Sequence, residues 1–458
     1  MSASSRTCRY LLYFANEHIE FKIAELKSLA SLYNIKLDLH EACIDKKDPF
    51  LVVDLPSEDG AIQIMSRTLL VRSAYELWGQ GKSHEEMYRN LAAFHTDRMA
   101  PYFSANTTFK IMVESFNKTI TQKEKVQRIE ELPQDILKFE GKVNLKNPVH
   151  IFTLMEYYGH VGTTPPDKPL AVYFGRWICD GQRDKISYFN LQKRHFIANT
   201  TMDPGLSLIM SNLARVKQNS LVFDPFVGTG SLLVSAAHHG AYIIGTDIDY
   251  LLLHAKSKPS RARQKKRASD ESVQANFGQY RLESQYLDVL VADASCHKLW
   301  RPMIHFDAII TDPPYGIREG AKRVGKDAED EEKSSLQDEF PKRIPRLRDY
   351  HLSDIFLDLL DFSAKHLQMH GRLVYWLPVD RLDYKEENLP SHPCLQLIAN
   401  CEQVLNSKVS RRLITMEKVR EFQENGGMTA RVEVDHYQDA TFRERYFRPT
   451  NLTNDEDN

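Results

Sequence analysis

The chain has 458 residues, 42% of them hydrophobic, and a formal net charge of -2. That length has room for two or three domains, and that apolar content argues against global disorder. The near-neutral balance means that any polyanionic partner must meet a local basic patch, and the lack of a run of about eighteen apolar residues argues against a membrane span.

Residues 9–150 alternate short apolar runs with amphipathic stretches. Strands are expected at Tyr10–Phe14, Leu51–Leu55, Leu69–Leu77, Phe109–Phe116 and Val149–Tyr158, with a strand entry at Val143–Leu145. Helices are expected at Glu20–Tyr33, where Ile23, Leu26, Leu29 and Ala30 share a face, at Ala61–Arg67 and at Thr121–Leu132. This half has α+β character and shows no chemistry of its own. The segment from Thr163 to Pro169 is a boundary signal. A strand at Ala171–Cys179 follows, then a helix at Gly205–Val216 opened by Asp203 as N-cap and Pro204 at its first position.

From Leu221 the pattern becomes strand, glycine turn, helix, strand. Strands at Leu221–Phe223, Ala241–Gly245, Leu287–Val291, Phe306–Ile310 and Gly371–Leu377 alternate with helices at Ser231–His239 and Asp354–Leu367. Leu395–Leu405 and Arg411–Lys418 read as a closing antiparallel pair. Between them lie a basic stretch, Lys256–Arg267, with seven Lys or Arg in twelve residues, and a long charged segment, Gly316–Tyr350, expected to include a mobile part. The tail from Thr450 is polar and expected to fray. The N-terminus, Met1–Arg9, is Ser-rich and lacks the apolar core of a secretory signal. Cys8, Cys43, Cys179, Cys296, Cys394 and Cys401 form no zinc-spaced cluster, which fits reduced thiols in a cytosolic or nuclear protein and gives no metal site.

Two motifs carry the chemistry. The first is Asp224-Pro225-Phe226-Val227-Gly228-Thr229-Gly230 after a strand. Its glycines permit a tight turn and close backbone approach before a helix N-terminus. It is not GxGxxG and lacks the GK[ST] ending of a phosphate loop. Taken alone, the glycines read equally well as a structural turn. Asp247 ends the next strand, where an acid suits a ribose diol, and Asp293 follows the third, where it could accept from an adenine amine. The ordered set Asp224, Gly228, Gly230, Asp247 and Asp293 suits S-adenosylmethionine, which carries a sulfonium and an amino group but no phosphate, and Phe226 in the same loop is expected among the cofactor-binding residues.

The second motif, Asp312-Pro313-Pro314-Tyr315, starts 88 residues after Asp224 at the end of the fourth strand. An exocyclic amine on a base is a poor nucleophile because its lone pair is delocalised into the ring. A carboxylate, Asp312, and a backbone carbonyl, that of Pro313, can both accept from the NH2 and free that lone pair. Two prolines stiffen the loop and leave its carbonyls unused. Tyr315 can stack on a base flipped into a pocket. An isolated Asp-Pro-Pro-Tyr would read equally as a rigid turn with a capping Asp; its place in the strand array favours the chemical reading.

These residues resemble the class I S-adenosylmethionine-dependent methyltransferases of the [NDS]PP[YFW] type. With Lys193-Arg194-His195-Phe196, Thr200-Thr201-Met202-Asp203, Gly245-Thr246-Asp247-Ile248-Asp249 and Gly316-Ile317-Arg318, the chain is similar to the catalytic subunits of eukaryotic tRNA (guanine(10)-N2)-methyltransferases. The resemblance implies a class I (Rossmann-like) methyltransferase domain preceded by α+β N-terminal and THUMP-like domains. The expected division is an N-terminal domain at 1–60, a THUMP-like tRNA-binding domain at 61–165, a linker and lead-in helix at 166–205, a methyltransferase domain at 206–450 and a disordered tail at 451–458. It implies one methyl added to N2 of guanosine 10 of tRNA, in the cytoplasm. It also implies a heterodimer with a small zinc-binding activator that docks largely on the edge of the methyltransferase sheet.

Carried onto this chain, Asp312, Pro313, Pro314 and Tyr315 hold the guanine, Asp224, Gly228 and Gly230 line the methionine end of the cofactor, Asp247 binds its ribose and Asp293 its adenine. Arg318 could approach a phosphate of the flipped nucleotide or form a surface ion pair. Lys256–Arg267 could contact tRNA phosphates, act as a nuclear address or be a solvated loop. The alternatives are an N6-adenine or protein-glutamine methyltransferase and a non-catalytic RNA-binding scaffold. Asp at position 312 leans towards guanine N2, and the THUMP-like half leans towards tRNA.

Overall fold

The computed structural model describes residues 8–39, 45–262, 264–315, 321–325, 347–423 and 427–433. The expected roles of Gly316, Ile317 and Arg318, most of the charged segment before Tyr350 and the tail at 451–458 fall outside these residues. The chain forms two compact units, Met1–Asp184 and Lys185–Asn458. No helix among the described residues is long and apolar enough to cross a membrane.

In the first unit, strands β1 (Cys8–Phe14), β2 (Phe50–Leu55), β3 (Val71–Gly81), β4 (Thr108–Phe116), β5 (Lys142–Val143), β6 (His150–Tyr157) and β7 (Ala171–Asp180) form one mixed sheet. Its order is β2-β1-β3-β7-β6-β4-β5, and β4 runs parallel to both β5 and β6. The divisions expected at 60/61 and 165/166 therefore fall inside one hydrogen-bonded sheet. β1 pairs with β3 across the first, and β6 pairs with β7 across the second. An aromatic core of Trp78, Phe103, Phe109, Phe152 and Phe174 lies on this sheet. Thr121 caps helix Gln122–Glu130 through a reciprocal capping box with Glu124, which the charged pattern there did not disclose.

Glu156 on β6 ties two helices to the sheet. It accepts from His84 Nε2 at 2.6 Å, Arg128 Nε at 2.8 Å and Tyr158 Oη at 2.8 Å. Burial alone would raise its pKa, but these donors outweigh it and bring the carboxyl down to about 2. Asp45, Asp48 and His160 place ligand-type atoms within 4.8 Å of one another in the same unit. The Tyr157 hydroxyl donates to Asp48 at 2.6 Å, and the Lys22 ammonium feels both aspartates, so this is a charge-balanced hydrogen-bonded cluster.

The second unit holds β8 (Leu221–Asp224), β9 (Tyr242–Asp247), β10 (Tyr286–Val291), β11 (Phe306–Thr311), the short β12 (Lys322–Val324) and β13 (Leu347–Asp349), β14 (Leu367–Asp380), β15 (Leu395–Val404) and β16 (Val409–Lys418). The main sheet runs β10-β9-β8-β11-β14-β16-β15, parallel from β10 to β14 and antiparallel thereafter. The closing β15–β16 pair matches the expectation. Strand order reverses between β8 and β11, the switch point where open α/β sheets bind ligands. The core under it joins Phe223 of β8, Ile309 of β11 and Leu373 of β14 to Ile355, Phe356 and Leu360 on helix Leu352–His366.

The basic stretch is partly anchored. Arg267 lies over the Phe196 ring, 4.8 Å to its centroid, and donates to main-chain oxygens of Ser257, Lys258 and Ile197. Lys256, Lys258, Lys265 and Lys266 remain exposed.

Candidate active site

β8 delivers Asp224 and the glycine loop, and β11 delivers the Pro-Pro tetrad, on neighbouring strands at the same edge. Asp224 is only 1% exposed. Its Oδ1 accepts from Thr311 Oγ1 at 2.6 Å and from the Phe226 amide at 3.0 Å, which ties the two strand ends together. Burial pushes its carboxyl up to about 7, against the lowering effect of those bonds, and the charges of Asp247 and Asp312 push the same way.

An acid with a folded pKa above its unfolded value binds its proton more tightly when native, so it subtracts stability as pH rises from 3.8 through about 7. Asp224→Asn keeps the Oδ1 acceptor and removes the charge. The variant is expected to melt higher than the parent by roughly 10 °C at pH 8, for a cost on the order of 4 kcal/mol, with the gap closing towards acidic pH. Thermal unfolding across pH measures this, and a gap independent of pH would contradict it.

The loop glycines have separate reasons. Gly228 has φ +52°, and a Cβ there would meet nothing within 4 Å, so its backbone faces open space. Gly230 has φ +78°, and its Cβ would come within 2.7 Å of Val273 Cγ1. Val273 lies on helix Val273–Gln279, an element the sequence reading did not include. Helix Ser231–His238 starts directly after Gly230.

Asp247 ends β9 as expected. Its Oδ2 accepts from the Gly228 amide and its Oδ1 from the Asp249 amide, both at 2.9 Å. Four lone-pair sites on a carboxylate leave it able to accept again. Asp293 lies just beyond β10 and lines a cavity with Phe226, Ala292, Trp300, Tyr350 and Phe362. Asp293 Oδ1 accepts from the Ser295 amide and hydroxyl at 2.9 and 2.8 Å, and Oδ2 from the Val324 amide at 2.6 Å. An apolar slot with an acid at its rim suits a flat heterocycle, and open backbone at Gly228 beside a carboxylate suits a ribose and its substituents. The residues therefore fit a nucleoside cofactor.

The Asp312 side chain is 23% exposed. Burial raises its pKa, while Arg411 and the Tyr315 hydroxyl act to lower it. Tyr315 Oη donates to Asp312 Oδ1, and burial drives that phenol well above its ordinary range. The tyrosine thus touches the carboxylate directly, a contact the expected stacking role did not include.

Arg411 was read only as part of a strand. Its Nη1 lies 3.7 Å from Asp312 Oδ2, and its guanidinium covers the Trp376 ring at 4.0 Å. Thr201, which the sequence shows only as part of the Thr200-Thr201-Met202-Asp203 run, brings its hydroxyl to that of Thr229 in the glycine loop at 2.9 Å. Arg194, fully buried, donates to Ser231 Oγ at 2.7 Å and fixes the same loop's helix from behind.

Fold and site define a class I methyltransferase domain of the Pro-Pro-Tyr type. Residues 8–183 match the Tmrp11 THUMP N-terminal domain, and residues 192–344 match the RMKL-like methyltransferase domain. The tRNA (guanine(10)-N(2))-methyltransferase TRMT11 of Homo sapiens is 50% identical over 98% of this chain and 96% of its own length. The protein of the same name from Dictyostelium discoideum is 37% identical over 91% of this chain and 83% of its own. Among solved structures, TrmN from Thermus thermophilus aligns with 90% of this chain and 100% of that one at 16% identity and a TM-score of 0.40. The chain belongs to the tRNA (guanine(10)-N2)-methyltransferase family.

Proposed function

We propose that this chain is the catalytic subunit that methylates the exocyclic N2 of guanosine 10 in tRNA, using S-adenosylmethionine. The observation that carries the reading is Asp312 placed beside the glycine loop at the switch point of the sheet. Asp224, Gly228 and Gly230 would hold the methionine end of the cofactor, Asp247 its ribose and Asp293 its adenine, with Phe226 lining the same cavity as Asp293. When bound, the cofactor supplies an electrophilic methyl group, so transfer forms a nitrogen–carbon bond, breaks the carbon–sulfur bond and leaves a thioether. Asp312 and the Pro313 carbonyl accept the two amine hydrogens and turn the N2 lone pair towards the methyl group. Asp312 takes up the positive charge that develops on nitrogen, and the surplus proton leaves to it or to solvent. Pro314 keeps the loop rigid, and Tyr315 packs on the base.

The first unit is assigned to tRNA recognition, with a THUMP-like module within it, and the exposed lysines of 256–266 to contacts with phosphates. A small zinc-binding activator completes the enzyme in the cytoplasm. β10 supports its docking by strand addition, because this edge strand exposes Leu287 and Val291, at 52% and 46%. The test is transfer of labelled methyl groups to unmodified tRNA, with and without activator, followed by nucleoside analysis. N2-methylguanosine as the product supports the reading; N6-methyladenosine, or no product despite cofactor binding, rejects it.

A further inference from the structure

A carboxylate and a carbonyl that accept from an NH2 group do not by themselves choose a base. The amine of adenine offers the same two hydrogens as N2 of guanine. The difference lies further along the base edge. Guanine carries N1–H and then the acceptor O6, whereas adenine offers a bare N1 beside its amine and no carbonyl. A pocket that selects guanine needs a second donor next to the carboxylate.

Arg411 supplies that donor. Its Nη1 is 3.7 Å from Asp312 Oδ2, close enough to pair electrostatically but too far for a hydrogen bond. The side chain is held on its other sides. Nε donates to Gln403 Oε1 at 2.7 Å, the plane stacks on Trp376 at 4.0 Å, and Nη2 lies 3.8 Å from Met202 Sδ, a weak acceptor. It also bears on the Tyr315 hydroxyl. Its strand, β16, lies between β14 and the edge strand β15, where Arg411 pairs with Pro378 and Gln403. A guanidinium only 15% exposed and locked by an aromatic face is pre-organised, and its planar fork suits a base carbonyl.

We propose that Arg411 donates to O6 of the target guanine while Asp312 accepts from its N1–H and N2 side, so that this pair makes the pocket selective for guanine over adenine. This rests on the reading of the site as a guanine N2-methylating pocket. Adenine in the same pose would leave the guanidinium facing no acceptor, a penalty that the correct base avoids.

The experiment uses the full chain with the activator. Its substrates are ligated tRNAs bearing either guanosine or 2-aminopurine at the target position; the analogue keeps the N2 amine and lacks both O6 and N1–H, so the O6 contact is read from how substituting Arg411 changes the preference and not from the wild-type preference itself. Wild type is expected to prefer guanosine. Arg411→Met should lower kcat/KM for guanosine by roughly 100-fold and for 2-aminopurine by less than about 3-fold, with cofactor affinity unchanged. Equal losses on both substrates, loss of cofactor binding, or no loss on guanosine would overturn the proposal. If the Met variant fails to fold, Arg411→Lys is read in the same way. It keeps the charge without the fork, so it should still narrow the preference for guanosine, and an unchanged preference would overturn the proposal. Failure of the underlying reading looks different, because wild type would then form no N2-methylguanosine on the guanosine tRNA.

Discussion

Asp312→Ala is expected to lower single-turnover methyl transfer by at least about 10³-fold while changing S-adenosylmethionine affinity by less than about 3-fold. The substitution removes the acceptor proposed to turn the amine, and Asp312 stands on the tetrad side of the site. Its neighbours are Tyr315 and Arg411, whereas the cofactor residues assigned here come from the ends of β8, β9 and β10. Rapid-quench transfer on saturating tRNA and calorimetric titration of the cofactor separate the two quantities. Matching losses in both would remove Asp312 from the amine and place it on the cofactor.

The second large effect is expected at Asp247. Asp247→Ala should weaken S-adenosylmethionine binding by roughly 10- to 100-fold, the scale of hydrogen bonds to a charged group. Two changes add. The ribose would lose its proposed carboxylate partner, and the Gly228 amide loses the acceptor that holds the loop at 2.9 Å. Once cofactor is saturating, transfer should recover most of its rate, because no Asp247 atom is assigned to the amine. Unchanged affinity by calorimetry would reject the ribose role.

Much of the second unit was legible because each motif follows an apolar strand. β8 ends at Asp224, β9 at Asp247 and β11 at Thr311, so the acids fall where a parallel sheet places ligand contacts. The start of β14 was read late, at Gly371. The strand already runs from Leu367, through a register shift opposite β11 and a left-handed His370 at φ +64°. Such an irregularity has no signature in hydrophobic alternation. Helix Val273–Gln279 escaped for a different reason. Its Asn and Gly are weak helix formers, and its buried apolar side chains, Val273 and Phe277, make too short a face to show periodicity.

Arg411 shows the limit most clearly. A charged residue in a strand reads as a solvent-facing position, and only the β14–β16 pairing brings it to Asp312. Gly230 is the converse. Its glycine was legible as part of a turn, but the close approach of Val273 that forbids a side chain there is a tertiary fact. In the first unit, strand positions were readable from apolar runs, whereas their union into one sheet was not, because pairing across long sequence separations leaves no local pattern.

On the proposed function, the methyl group goes to the exocyclic amine of a guanine held by Asp312. The most direct measurement compares two tRNAs that differ only at position 10, guanosine in one and inosine in the other. Inosine keeps O6 and N1–H and lacks the N2 amine. N2-methylguanosine is expected at that position from the first tRNA, and no methyl is expected at position 10 of the second. Equal methylation of both tRNAs would place the acceptor on another atom and contradict it.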